Sequence, residues 1–228
     1  MADMGKLARA GKLIWRGLIV VGAGWGLASM FGLPARFDPS TLVFYTILSN
    51  LVIFLAYLGL LVLALWPGAG RRGDYPPVVM GGLMAMIAMT GIIYNFVLAP
   101  MIADASDYAV DWLTNWLLHS FVPVAVFVDW LLFADVRRLR WWQPLAWGAA
   151  PLAYLAFALI RARLGGPILN GSRYPYFFLD VDAYGVWAVT RNCALIALVF
   201  WAAAYLLAGL GRLKSRLTAG RRSNRRSG

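Results

Sequence analysis

The only histidine of the chain, His119, lies inside an apolar run long enough to cross a bilayer, WLTNWLLHSFVPVAVFVDWLLF. An ionisable side chain in hydrocarbon is costly and normally faces a bundle interior or a wet cavity, so it marks a functional site by default. A neutral imidazole in such a place is a general base, and a base needs a proton to take. The run VFYTILSNLVIF, two apolar segments earlier, offers the hydroxyl of Thr46. At 1.5 Å per residue, Thr46 lies roughly 5 Å and His119 roughly 10 Å below the same membrane boundary. A hydroxyl beside an imidazole is the minimal apparatus of acyl transfer: the base takes the proton and the oxygen attacks a carbonyl carbon. Ser49, three residues on, is a second candidate hydroxyl.

A tetrahedral intermediate needs donors for its oxyanion. Asn50 shares a helix face with Thr46 at i, i+4, and Asn115 stands in the same relation to His119. Tyr94 and Asn95 close the third segment at the same membrane face, and Arg191 and Asn192 lie about two turns into the sixth. Ser49, Asn50, Tyr94, Asn95, Asn115 and Arg191 are therefore the expected substrate-binding set around a catalytic Thr46 and His119. No carboxylate is placed to orient His119, so a dyad held by Asn115 is expected rather than a triad. Each hydroxyl or amide, taken alone, also fits a role as glue between membrane helices. With one histidine, one cysteine (Cys193, a packing residue) and no glycine-rich phosphate loop, neither a metal nor an organic cofactor is expected.

These residues must be carried by membrane helices. Hydrophobic residues make up 61% of the chain and its mean hydropathy is +0.68. A spanning helix needs about 20 apolar residues, and six segments qualify: Leu13–Leu33, Val43–Leu65, Val78–Ala99, Trp112–Ala134, Pro144–Ile160 and Tyr184–Gly211. The fold class is all-α, a polytopic integral membrane bundle: residues 1–211 form a six-helix transmembrane domain and 212–228 a basic, disordered tail. A net charge of +11 would suggest nucleic acid in a soluble protein, but 16 of the 21 basic residues fall on one side of the membrane. Lys6, Arg9, Lys12, Arg16, Arg71, Arg72, Arg137, Arg138, Arg140 and the tail share that side. The segment Met101–Asp111 carries Asp104, Asp107 and Asp111 and no basic residue. By the positive-inside rule both termini are cytoplasmic, and the partners are the bilayer and its lipids, not nucleic acid. The first segment is too long for an ordinary signal peptide and is kept as a helix. Asp129 is expected to pair with Arg137 or Arg138. Trp15, Trp66, Trp112, Trp141 and Trp142 read as interfacial belt residues. The external segment Gly165–Asp182, with Tyr174, Tyr176, Phe177 and Phe178, reads as an aromatic surface at the interface, a lid or mouth for lipid chains.

The combination of YTILSN, NWLLHSFVPVAVFVDWLLF and RYPYFFLDVDAYG resembles the bacterial six-helix "Pr-six-Pr" membrane proteins. That family is similar to the eukaryotic androgen-induced proteins and the androgen-dependent TFPI-regulating protein, integral-membrane hydrolases of fatty acid esters of hydroxy fatty acids (FAHFAs). The resemblance spans about Leu13 to Gly211. It implies a threonine hydrolase with Thr46 as nucleophile and His119 as base, acting on long-chain lipid esters in a bacterial inner membrane. The eukaryotic motif lacks the Ser49-Asn50 arrangement, so preferring Thr46 to Ser49 rests on the resemblance. The alternative function is a lipid-binding or lipid-transport protein whose His119 and Arg191 grip an anionic headgroup without chemistry.

Overall fold

A computed structural model describes residues 2–66, 74–102, 111–134, 139–168 and 171–224. Among these residues there is no strand, and six helices are long and apolar enough to cross a bilayer: α1 Lys6–Met30, α2 Tyr45–Leu65, α3 Pro77–Met101, α4 Trp112–Phe133, α5 Gln143–Leu164 and α6 Val181–Lys214. The chain is an all-α integral membrane protein. The helical backbone of α1 begins at Ala2, well before the apolar run, and that of α6 continues to Asn224. The expected disordered tail after residue 211 is helical that far, because Arg, Lys, Leu and Ala are strong helix formers and no proline interrupts them. Arg71, Arg72, Asp104, Asp107, Arg137, Arg138, Arg225 and Arg226 lie outside the described residues.

The chain divides into two compact units, Met1–Ala134 and Asp135–Gly228. In the first, local chemistry sets the ends of the helices. Gly32 ends α1 in a left-handed turn (φ 72°), where an added Cβ would meet the Arg36 carbonyl oxygen at 2.5 Å. Asp38 accepts from the Ser40 N–H at 2.9 Å to start the short turn leading into α2. Asp111 caps α4, accepting the Thr114 N–H at 3.0 Å, and that hydrogen bond holds its carboxyl below the usual carboxylate range. Packing then depends on small residues. Cβ atoms added at Gly22 and Gly26 of α1 would lie 2.7 Å from Phe121 and 2.6 Å from Leu118. These two glycines, four apart, let α1 lie against the middle of α4, and Ser29 extends the stripe by accepting from Thr114 Oγ1 at 2.8 Å. Leu27, Ile47 and Leu118 form the buried cluster where α1, α2 and α4 meet.

The second unit contains α5, the connection after it, and α6. Ala158 and Ala162 of α5 are buried together with Tyr174 and Leu179 of the connection, and Cys193 of α6 packs against them. Tyr176 and Phe178 stack at 5.2 Å, and Phe177 meets Phe178 edge-on. Ser172 Oγ donates to Asp180 at 2.7 Å, and Asp180 in turn accepts the Ala183 N–H, starting α6. Gly185, at φ 77°, interrupts α6 one turn later.

Candidate functional site

Two stretches of the first unit leave the α-helical ladder. Tyr94–Leu98 in α3 and Leu117–Phe121 in α4 are π-helical turns, and each is followed two residues later by a proline, Pro100 or Pro123. The Val122 N–H donates to Leu117 O, so the next donor in either register should come from residue 123. Proline has no N–H, so neither the Leu118 nor the His119 carbonyl receives a bond from that position. Two asparagines fill the gap. Asn50 Nδ2 of α2 donates to Leu118 O at 3.1 Å, and Asn95 Nδ2 of α3 donates to His119 O at 3.0 Å. Gly91 lets α3 approach, since a Cβ there would lie 2.9 Å from Pro123 and 3.3 Å from His119 O. Amides of α2 and α3 thus meet on the turn that holds the histidine. Inserted π-turns of this kind are frequent at functional sites.

The hydroxyls near the start of α2 are not equivalent. Ser49 Oγ donates to Thr46 O at 3.0 Å and lies 2.7 Å from Thr90 Oγ1. With its own proton committed to a carbonyl, Ser49 accepts the one from Thr90. Thr46 is buried to 8% exposure, and its hydroxyl enters no hydrogen bond among the described residues. Asn50 Nδ2 also donates to Thr46 O at 2.8 Å. The Thr46 turn and the His119 turn therefore meet at one nitrogen.

His119 is equally buried, at 8% exposure. Its Nδ1 lies 3.0 Å from the Asn115 main-chain oxygen. A carbonyl only accepts, so Nδ1 carries the proton and Nε2 presents the lone pair. Asn115 was expected to hold the ring, and it does so through its backbone. Its side chain is engaged elsewhere, Nδ2 donating to the Tyr94 hydroxyl. The Tyr94 ring covers the imidazole, with centroids 3.7 Å apart and planes 26° apart. Asn50 Oδ1 and Asn115 Oδ1 are buried acceptors with no donor among the described residues.

Of the eight expected site residues, seven belong to the first unit: contacts join Thr46, Ser49 and Asn50 in one set and Tyr94, Asn95, Asn115 and His119 in another, and Asn50 reaches the second set's turn at the Leu118 carbonyl. Arg191 is an exposed residue of α6 in the second unit, and Asn192 there donates to Phe178 O at 3.4 Å. As oxyanion donors, Asn50 and Asn95 are unsuited, because each directs both amide hydrogens at helix carbonyls, Asn95 also reaching Gly91 O at 2.8 Å.

A second polar group surrounds Asp129. Asp129, fully buried, accepts Arg16 Nε at 3.0 Å and Nη2 at 3.1 Å, and Tyr57 Oη at 3.2 Å. Arg16 Nη1 also bonds Asp74 at 2.7 Å, which Lys12 Nζ meets at 2.7 Å. Burial alone would raise the Asp74 carboxyl, but the hydrogen bonds from Arg16 and Lys12 outweigh it and hold it below its ordinary value. The expected partners of Asp129, Arg137 and Arg138, lie outside the described residues, and the described partner is Arg16. Its place one turn inside the apolar run of α1 was the available signal. The Trp15 indole N–H donates to Ala125 O at 3.0 Å. Among the described residues no group of three histidine, cysteine or acidic residues could hold a metal ion. No family model matches the chain, and neither a curated protein nor a solved structure matches it significantly.

Proposed function

We propose that the protein is an integral-membrane threonine hydrolase that cleaves an ester bond of a long-chain lipid, with Thr46 as nucleophile and His119 as general base. One observation carries this reading. Thr46 has the uncommitted hydroxyl on a turn of α2 that Asn50 joins to the His119 turn, whereas the proton of its competitor Ser49 is engaged. The hydrogen bond from His119 Nδ1 to Asn115 O leaves Nε2 as the base.

In the proposed reaction Thr46 Oγ attacks the ester carbonyl carbon while its proton passes to His119 Nε2. The tetrahedral intermediate collapses by breaking the bond to the alcohol oxygen, which leaves with the proton from His119. A water then attacks the acyl-threonine, giving its proton to His119 as it adds, and His119 returns that proton to Thr46 Oγ as the carboxylic acid departs. The six apolar helices support a substrate drawn from the bilayer. The bias of basic residues supports cytoplasmic termini and a site in the outer half of the membrane of a bacterial cell. The resemblance to the Pr-six-Pr and androgen-induced families supports the choice of threonine and of fatty acid esters of hydroxy fatty acids as substrates.

The test is hydrolysis of a long-chain p-nitrophenyl ester and labelling by a fluorophosphonate, using the full chain in detergent. Thr46→Ala and His119→Ala each abolish turnover with the fold retained, Thr46→Ser keeps it, and Ser49→Ala keeps it. Wild-type rates in both Thr46→Ala and His119→Ala would replace this reading with a lipid-binding one.

A further inference from the structure

Resting on the hydrolase reading, we infer that the Tyr94 hydroxyl is the oxyanion donor of the site. Few polar side-chain hydrogens around His119 remain available. Asn50 and Asn95 direct both of theirs at helix carbonyls. Ser49 donates to Thr46 O, Thr90 to Ser49, and Ser120 to Asn95 Oδ1 at 3.3 Å. Thr114 Oγ1 is engaged with Ser29 and Asp111. Tyr94 differs from all of these. Its oxygen accepts from Asn115 Nδ2, and its own proton has no acceptor among the described residues.

Geometry gives that proton a direction. A phenolic O–H lies close to its ring plane, and the plane of Tyr94 is only 26° from that of the imidazole, with centroids 3.7 Å apart. The O–H is therefore directed roughly parallel to the imidazole plane instead of into its face. Asn115 takes the remaining lone-pair direction of the oxygen and fixes the rotor. Tyr94, with 8% of its surface exposed, works in a largely dry site, where a single donor to a developing oxyanion has most effect. The π-turn Tyr94–Leu98 begins at this tyrosine, whose ring stacks on the histidine. Asn115 is then a positioning residue that acts through Tyr94.

The experiment compares a long-chain p-nitrophenyl ester with its thionoester on wild type, Tyr94→Phe and Thr46→Ala, all as full chains in detergent. Tyr94→Phe keeps the ring stacked on His119 and removes only the hydroxyl. The expected result is a fall in kcat of about 10²–10³-fold with little change in KM. The wild type's preference for the oxygen ester over its poorly hydrogen-bonding sulfur analogue should also collapse, which a merely structural role would not produce. Should Tyr94→Phe not fold, Asn115→Ala leaves the tyrosine in place and strips the group that orients it, and the same loss of preference is expected. If Thr46→Ala is inactive while Tyr94→Phe keeps its kcat and its preference, the Tyr94 assignment is overturned and the hydrolase reading stands. If wild type releases no more p-nitrophenol than Thr46→Ala, the hydrolase reading fails and the assignment falls with it.

Discussion

Asp129→Ala tests whether the buried charges at the other end of the first unit are as tightly coupled as their geometry implies. Arg16 is 3% exposed and Asp129 is fully buried, so neither has water to fall back on. Removing the carboxylate leaves the guanidinium with Asp74 alone and the Tyr57 hydroxyl without its acceptor. Breaking a buried pair by deleting one partner costs about 3–5 kcal/mol. For a chain of this length each kcal/mol lowers Tm by about 2–4 °C, so a drop of roughly 6–20 °C follows. Far-UV circular dichroism melts in one detergent measure it. The informative comparison is the triple variant Arg16→Met, Asp129→Leu, Tyr57→Phe. It removes both charges and the hydroxyl together, while Lys12 and Asp74 still neutralise each other. Because desolvation offsets much of the Coulomb gain of a buried pair, the triple variant is expected at or above the wild-type Tm. A single variant that melts with wild type, or a triple variant no better than the single, would refute the argument.

Three further outcomes follow from the packing. Asn95→Ala leaves His119 O without a donor, a loss of about 1–3 kcal/mol; adding Pro123→Ala restores a backbone N–H in that helix and should recover part of it, as a double-mutant cycle in chemical denaturation would read. Gly26→Ala places a Cβ 2.6 Å from Leu118, and overpacking should destabilise by about 1–3 kcal/mol, relieved when Leu118→Ala is added and measured as Tm. Asp74 has a folded-state pKa below its unfolded value, so its stabilisation is complete above about pH 4 and is lost as pH falls through the folded value; Tm against pH should drop on that acid side, and Asp74→Asn should flatten that part of the profile.

Much of the fold was legible because a membrane helix is announced by length and apolarity alone, and all six spans lie where those two quantities place them. The ends were less legible. Nothing in the composition marks where α1 starts at Ala2 or where α6 stops, because helix propensity does not change at the edge of the apolar run. The division at Ala134 is equally unmarked, since the helices on either side are both apolar. For the site, i, i+4 spacing correctly put Asn50 beside Thr46 and Asn115 beside His119. It could not say which atom of Asn115 meets the ring, nor that the two amides on α2 and α3 answer to a proline. Both depend on the π-turns, which shift the register by one residue and are invisible to a 3.6-residue period. The pattern was present all the same: YNFVLAP and LLHSFVP each place an aromatic or histidine within one turn of a proline. Arg16 was read as a topology charge because it lies close to other basic residues. Its pairing with Asp129 joins residues 113 apart in sequence, which no local pattern reports.

The two polar groups of the first unit are satisfied to different degrees, and this separates architecture from chemistry. Around Asp129 every described charge has an opposite charge, the tyrosine has an acceptor, and the orphan is one neutral donor, Trp130 Nε1. A network closed in this way rigidifies the helices it joins and leaves no group to act on anything else. Around His119 the balance is reversed. Among the described residues two buried amide oxygens have no donor, the hydroxyls of Thr46 and Tyr94 have no acceptor, and the imidazole has one nitrogen held and one open. Buried polar atoms are almost always partnered in a folded protein, and each exception calls for a reason. Here the exceptions are Asn50 Oδ1 and Asn115 Oδ1, on the helix turns next to Thr46 and His119. Packing alone would have favoured apolar residues at these positions, and under the proposed hydrolase reading these open valences are where a substrate would bond.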